Sequence, residues 1–221
     1  MKEITVKVYQ FDELDEMAKE KVVERWQSRC DFSEQYSSEY ESTLKKFERI
    51  MGIKVKNWSV DSCRYDYHVV FDLVTLIPNG EYREVDGDEI HGKYLWRYIM
   101  NNVWYYMFPI KKFYDVNAGY DRENKRWNKQ RFSRVIRRDW KDCPLTGVCY
   151  DYDILKPIAD YLSKPYNDNY TLRDLVEDCL DNFFTAWRNE IEYDNSYEGV
   201  SEWIENCCND EYLEDGSVFR A

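Results

Sequence analysis

The fold is decided by Thr171-Leu-Arg-Asp-Leu-Val-Glu-Asp-Cys-Leu-Asp-Asn-Phe-Phe-Thr-Ala-Trp-Arg-Asn-Glu-Ile191. Its apolar side chains recur at the helical period, which gives a helix one apolar face and one polar face. Thr171 and Asp174 have the spacing of a capping-box-like pair at the start of this helix. We expect this helix to be the principal packing element. Its inward side chains are predicted to be Leu172, Leu175, Val176, Cys179, Leu180, Phe183, Phe184, Trp187 and Ile191.

Other segments show weaker versions of the helical or the strand period. Further helices are predicted from Asp12 or Asp15 onward, over Ser38–Met51, Lys93–Phe108 and Asp153–Ser163 (with Pro157 in its first turn), and around Ser201–Cys208. Strands are predicted over 3–9, 53–60 and 64–76, with hairpins turning at 117–119 and 215–216. The sequence therefore predicts an α+β fold, a single domain over residues 1–221 in which a small antiparallel sheet packs against several helices.

Composition limits the location and the cofactors that we expect. The first ten residues lack the apolar stretch of a signal peptide, and no window reaches about 18 consecutive apolar residues. A cytoplasmic protein without a membrane span is predicted. The seven cysteines are an odd set without regular spacing, so reduced thiols are expected, with no metal and no cofactor.

Residue types that carry out catalysis are scarce in this sequence. The chain has two histidines, and only His68 has acidic neighbours at strand spacing, Asp66 and Asp72. That arrangement fits either an acid–base cluster or, as we favour, the solvated face of an alternating strand. The sequence contains no phosphate-binding glycine loop, nucleophile elbow or HExxH motif. A protein without enzymatic activity is predicted.

Charge is distributed unevenly along a chain whose net charge is −12. Residues 111–142 contain 11 Lys or Arg against 5 Asp or Glu, a net charge of +6. Residues 150–221 contain 18 Asp or Glu against 5 Lys or Arg, a net charge of −13. Aromatic residues, 17% of the chain, are interleaved with both segments and provide large contact areas.

The basic segment 125–140 is one candidate binding surface. Cations interleaved with aromatic side chains can contact phosphates and stack on bases. The alternative is an ion-pairing strip that neutralises acidic residues of the same chain, and this alternative is favoured. The candidate nucleic-acid-binding residues are Lys125, Arg126, Trp127, Lys129, Arg131, Arg134, Arg137 and Arg138.

The acidic C-terminal third is the other candidate surface. Carboxylates beside aromatic side chains can occupy a basic groove that otherwise holds DNA or RNA, and charge complementarity then speeds association. The alternative is that these carboxylates serve solubility alone. The candidate partner-binding residues are Asp174, Glu177, Asp178, Asp181, Glu190, Glu192, Asp194, Glu198, Glu202 and Glu205.

Both ends of the chain resemble a family of small proteins from phages and bacterial mobile elements. The resemblance lies in Tyr9–Trp26 and in Asn209-Asp-Glu-Tyr-Leu-Glu-Asp-Gly216, which is similar to a terminal N-[DE]-Y-x-F-x-x-D-G pattern. The genomic setting of such antitoxin-like or anti-defence proteins implies a role in conflict between phage and host. This resemblance implies an inhibitor that binds a nucleic-acid-handling host defence protein, such as a CRISPR effector, by steric and electrostatic blocking. The alternatives are an antitoxin that neutralises a toxin and a nucleic-acid-binding regulator.

Overall fold

The computed structural model describes residues 5–30, 36–76, 82–107, 110–113, 120–121, 126–127, 133–136, 143–148, 150–164 and 169–220. These residues form seven α-helices, in addition to short 3-10 turns at Phe11–Glu13 and Gly87–Glu89. The helices are α1 (Glu16–Gln27), α2 (Ser37–Met51), α3 (Gly92–Asn102), α4 (Trp104–Met107), α5 (Tyr150–Ser163), α6 (Leu172–Asp194) and α7 (Tyr197–Cys207).

The strands pair in twos. β1 pairs with β2, β3 with β4, β5 with β8 and β6 with β7, and the last three pairs are antiparallel. The α+β class is confirmed. The strands are β1 (Ile53–Val60), β2 (Tyr65–Phe71), β3 (Leu73–Leu76), β4 (Tyr82–Val85), β5 (Ile110–Phe113), β6 (Tyr120–Asp121), β7 (Arg126–Trp127) and β8 (Ser133–Ile136).

Contacts group the chain into two compact units. Unit 1 consists of 1–38, 58–67 and 184–221, and unit 2 of 39–57 and 68–183, as far as these ranges are described. α6 contributes residues to both units. No helix among the described residues is long and apolar enough to cross a membrane. The single domain over 1–221 stays a prediction.

α6 forms as its period predicts. Its start has a reciprocal capping box, in which the Asp174 amide donates to Thr171 Oγ1 at 3.1 Å and the Thr171 amide donates to an Asp174 carboxylate oxygen at 2.8 Å. All nine predicted inward side chains are buried. Because burying a large apolar side chain stabilises folding by about 1.5–3 kcal/mol, this face is a major source of stability for the fold.

α5 begins three residues earlier than predicted, which moves Pro157 from its first turn to the helix interior. Proline cannot donate to the carbonyl four residues before it, here that of Asp153. Asn182 of α6 replaces that donor, because its side-chain amide donates to the Asp153 carbonyl at 2.5 Å. A tertiary hydrogen bond therefore compensates a break that the local sequence predicts.

The early start of α5 depends on Asp151, whose carboxylate is fully buried. One carboxylate oxygen accepts from the amides of Leu145, Thr146 and Gly147 at 2.7, 2.6 and 3.3 Å. The other oxygen accepts from the hydroxyls of Thr146 and Thr43 at 2.8 and 3.0 Å. The side chain of Asp151 thus fastens the turn 143–148 to the first turn of α5.

Unit 1 joins the two ends of the described chain. Asp15 caps α1, because its carboxylate accepts from the Ala18 amide at 2.8 Å. The predicted strand over 3–9 is wrong for the described residues, which contain only an isolated bridge from Tyr9 to Tyr212. Its two backbone hydrogen bonds measure 2.8 and 2.9 Å. The core here comprises Phe11, Leu14, Ala18, Val22, Val23, Val200, Ile204 and Tyr212.

Two other predictions need correction in detail. The strand predicted over 64–76 divides at Asp72, whose amide leaves the strand pairing and donates to the Gly52 carbonyl at 2.9 Å. The helix predicted over Lys93–Phe108 divides at Val103. The turn predicted at 117–119 lies outside the described residues. The hairpin turning at 215–216 is confirmed by the Tyr212–Val218 bridge.

Candidate functional site

The C-terminal turn of α6 places three chemically distinctive side chains on one face. Glu190, Tyr193 and Asp194 have the i, i+3, i+4 spacing that puts residues next to each other on a helix surface. Glu190 and Asp194 are half-buried, and Tyr193 is exposed. Two carboxylates therefore flank an aromatic ring at the end of this helix.

α7 follows after a tight connection that brings its first turn against the end of α6. The Ser196 hydroxyl caps α7 by accepting from the Gly199 amide at 3.1 Å. A Cβ added at Gly199 would lie 2.2 Å from the Tyr193 carbonyl oxygen, closer than real atoms approach. Only glycine permits this approach of the two helices.

The two helices border an open groove of about 350 Å³ in unit 1, which we call the acidic–aromatic groove. It contains three carboxylates and three aromatic rings, and no Lys or Arg is among the described residues that line it. Such a lining is complementary to a cation. The lining residues are Tyr36, Glu190, Tyr193, Asp194, Gly199, Glu202, Trp203, Asn206 and Cys207.

Hydrogen bonding and electrostatics inside this groove are coupled. The Tyr193 hydroxyl donates to a carboxylate oxygen of Glu202 at 2.8 Å and so bridges the two helices. This bond raises the pKa of Tyr193. Burial, and then the nearby charge of Glu190, raise the pKa of Asp194. The negative charge of Asp194 is therefore disfavoured by its partial removal from water and by the neighbouring carboxylate of Glu190.

Only part of the predicted acidic surface lies in this groove. Glu190, Asp194 and Glu202 line it, whereas Glu192, Glu198 and Glu205 are exposed on the same helices but do not. The structure thus divides the predicted partner-binding residues of unit 1 into two sets of three.

The four predicted acidic residues of unit 2 have other surroundings. Asp174 belongs to the capping box, and Asp178 accepts a hydrogen bond from the Tyr170 hydroxyl. Glu177 and Asp181 are exposed, and partial burial raises the pKa of Glu177. Asp174 thus has the capping role that its spacing from Thr171 predicts.

Most of the basic candidate lies outside the described residues. Lys125, Lys129, Arg131, Arg137 and Arg138 fall there entirely. The backbones of Arg126 and Trp127 lie in β7, and the backbone of Arg134 lies in β8. The side chains of these three residues are outside the described part of the structure. The choice between a nucleic-acid surface and an ion-pairing strip stays a prediction.

Among the described histidines and cysteines, only Cys207 lines this groove. His68 and Asp66 are exposed on β2, and Asp72 is exposed just after it. Within the described part of the chain no group of three or more His, Cys, Asp or Glu could hold a metal. Burial raises the pKa values of the Cys179 and Cys208 thiols, which disfavours the reactive thiolate.

Sequence reasoning missed the aromatic half of the groove. Tyr36, Tyr193 and Trp203 line it, and none was singled out as a binding residue. One signal was available: Gly199, Glu202, Trp203 and Asn206 repeat at i, i+3, i+4 and i+7, which describes one face of a helix with glycine at its contact point.

Comparisons with protein-family models, with curated proteins and with solved structures find no match to this chain. The chemistry of its own surfaces is therefore the basis for inferring its function.

Proposed function

We propose that this chain is a non-enzymatic inhibitor whose acidic–aromatic groove receives a cationic side chain of a partner protein. The observation that carries this proposal is the convergence of Glu190, Asp194 and Glu202 with three aromatic rings around one groove of about 350 Å³. The resemblance of the two ends to phage and mobile-element proteins makes a nucleic-acid-handling host defence protein the proposed partner, with CRISPR effectors in that class.

Arginine is the side chain that fits this groove best. Its planar guanidinium stacks on aromatic faces and donates paired hydrogen bonds to carboxylates, whereas the lysine ammonium is compact and strongly hydrated. Tyr193 and Trp203 supply rings, and Glu190 and Asp194 supply acceptors from the facing helix turn. Arginines that bind nucleic-acid phosphates in a partner would be covered by this contact.

The raised pKa of Asp194 supports a binding role for the groove. Its charge is disfavoured by burial and by Glu190, so the free protein is less stable with that carboxylate ionised. An incoming guanidinium removes this repulsion and favours the ionised form. Binding is therefore expected to lower the pKa of Asp194, and binding becomes tighter as the pH rises through that pKa.

The contact between the groove and the partner's cation also explains how nucleic-acid binding by the partner is blocked. A partner whose basic groove is occupied by this acidic surface cannot bind nucleic acid at the same positions. Residues 150–221 have a net charge of −13. The acidic residues of this segment that lie outside the groove mainly raise the association rate and make that rate sensitive to salt. Affinity depends on the groove itself, because buried aromatic and arginine contacts dominate binding energies.

A pull-down from host lysate, with and without nuclease treatment, tests this proposal. The wild-type chain is compared with a triple variant, Glu190→Lys with Asp194→Lys and Glu202→Lys. The matched control is Glu192→Lys, an exposed charge reversal on the same helix outside the groove. We expect the wild type and the control to retain one nuclease-resistant partner, and the triple variant to lose it.

Other outcomes contradict the proposal. Retention of the partner by the triple variant would remove the groove from the contact. Recovery of DNA or RNA alone, lost after Arg134→Glu, would favour the nucleic-acid-binding regulator. A toxin as the retained partner would favour the antitoxin, which would use the same groove against a different target.

A further inference from the structure

Unit 2 contains a second groove whose chemistry is opposite to that of the first. It has a volume of about 450 Å³ and lies between α3 and the hairpin of β3 and β4. We call it the α3–β4 groove. The lining residues are Leu73, Val74, Arg83, Val85, Glu89, Ile90, Tyr94, Arg97, Tyr98, Asn101 and Asn102.

The floor of the α3–β4 groove is apolar. Leu73 and Val85 face each other across the hairpin, and directly opposed residues share one side of a strand pair. Val74 and Tyr94 leave 62% and 57% of their surfaces exposed, which is unusual for large apolar side chains in one groove. Tyr98 is fixed below, because its hydroxyl donates to the Met51 carbonyl at 2.8 Å.

The rim of the groove is basic, although the whole chain has a charge of −12. Arg83 forms an ion pair with Glu89, the one acid among the described residues of the lining. Lys93 lies with its Nζ 5.3 Å from the centre of the Tyr94 ring. Arg97 is exposed on α3, and within the described residues it has no hydrogen bond or ion pair. The described lining thus has two cations, Arg83 and Arg97, against the one acid that Arg83 pairs with, and this leaves the charge of Arg97 to attract an anion.

We propose that the α3–β4 groove docks an extended acidic–aliphatic segment of a partner protein. Successive side chains of an extended chain point to opposite sides. Aliphatic groups two residues apart can therefore lie on Leu73 and Val85, while the carboxylate between them points away from the floor, where the exposed side chain of Arg97 can reach it. The groove is open to solvent, which suits a polypeptide laid across it. This inference is independent of the acidic–aromatic groove.

Fluorescence anisotropy with three labelled, capped octapeptides tests the proposal. The probe alternates leucine with aspartate, and the two reference peptides alternate leucine with asparagine and serine with aspartate. We expect saturable binding of the leucine–aspartate peptide and roughly tenfold weaker binding of both references, because each removes either the charge or the apolar contact.

Variants assign the binding to the groove. Arg97→Glu is expected to weaken the leucine–aspartate peptide by at least about tenfold, and Arg97→Gln by less, since it removes a charge without reversing it. The matched control is Lys56→Glu, an exposed charge reversal in the same unit outside the groove, which should leave affinity within about twofold. Circular dichroism of each variant confirms that it is folded.

Three results would overturn the proposal. They are equal affinity for the aspartate and asparagine peptides, affinity unchanged by Arg97→Glu in a folded variant, and no saturable binding of the leucine–aspartate peptide. Concentration-dependent sedimentation of the wild type that is abolished by Arg97→Glu would instead identify a second copy of this chain as the occupant.

Discussion

Two groups of carboxylates in this molecule have opposite relations to their surroundings. The Asp151 carboxylate is buried among five hydrogen-bond donors, and Asp174 accepts from the residue that starts α6. In the acidic–aromatic groove, by contrast, Glu190 and Asp194 lie near each other and the charge of one disfavours that of the other. Donors stabilise the Asp151 and Asp174 carboxylates, whereas burial and the charge of Glu190 disfavour the ionised form of Asp194.

This difference separates acidic residues that stabilise the fold from acidic residues that are available to a partner. A carboxylate with its full set of donors has no capacity left for a ligand, and its removal leaves buried donors unsatisfied. A carboxylate among other carboxylates destabilises the free protein and gains most when a cation arrives. Changing one residue of each kind should therefore have effects of opposite sign.

The largest effect is expected for Asp151→Asn. The variant loses charge-assisted acceptance from three backbone amides, and its new NH2 group meets donors instead of acceptors. We expect a loss of about 3 kcal/mol in the free energy of unfolding. Urea unfolding measures it. The matched control is Asp160→Asn in the same helix, an exposed residue paired only with Lys156, which should lose less than about 0.5 kcal/mol. A loss in Asp151→Asn as small as the control's would contradict the structural role of this carboxylate.

An intermediate effect is expected for Gly199→Ala. The new methyl group collides with the Tyr193 carbonyl, so α7 must shift away from the end of α6. We expect a loss of about 2 kcal/mol in the free energy of unfolding, together with loss of the partner retained in the pull-down. Urea unfolding and the pull-down check both results. Glu198→Ala, one residue earlier and exposed, is the control. Unchanged stability and binding in Gly199→Ala would show that close helix contact does not form the groove.

The smallest effect, with the opposite sign, is expected for Asp194→Asn. The raised pKa means that the folded state holds this proton more tightly than the unfolded state, so ionisation above that pKa lowers stability. The residue also ends α6, where a negative charge opposes the helix dipole. The variant should therefore melt slightly higher than the wild type at neutral pH while binding the partner more weakly.

The pH dependence of the melting temperature checks the cause of this gain. Below pH 3.8, the ordinary Asp pKa, the wild-type carboxyl is protonated in both states and the advantage of Asp194→Asn should vanish. Glu192→Gln, exposed and outside the groove, should melt like the wild type at both pH values. A stabilising effect of Asp194→Asn that persists at low pH would assign it to packing instead of charge.

Elements determined by local sequence were predictable. The nine inward residues of α6, the capping box at Thr171 and the cap at Asp15 depend on spacings within a few residues, and all are confirmed. The helix predicted over Ser38–Met51 is confirmed as well, and Gly52, which follows it, has the positive φ that suits a helix end.

Features that depend on distant residues were not predictable. Pro157 is tolerated inside α5 because Asn182, 25 residues later, supplies a donor to the Asp153 carbonyl. The acidic–aromatic groove requires that α7 contact the end of α6. The close approach of Gly199 to the Tyr193 carbonyl shows this contact, whereas the distribution of charge along the sequence does not. Of the ten predicted acidic residues, only Glu190, Asp194 and Glu202 line the groove.

The bridge between Tyr9 and Tyr212 has a consequence for synthesis on the ribosome. Val22 and Val23 of α1 pack on Val200, Ile204 and Tyr212, which are translated almost 200 residues later. At ordinary bacterial or eukaryotic rates, roughly 10 to 40 s separate the two events. During that interval the apolar face of the first helix lacks its native cover, so the nascent chain is a substrate for chaperones until residue 212 has left the exit tunnel.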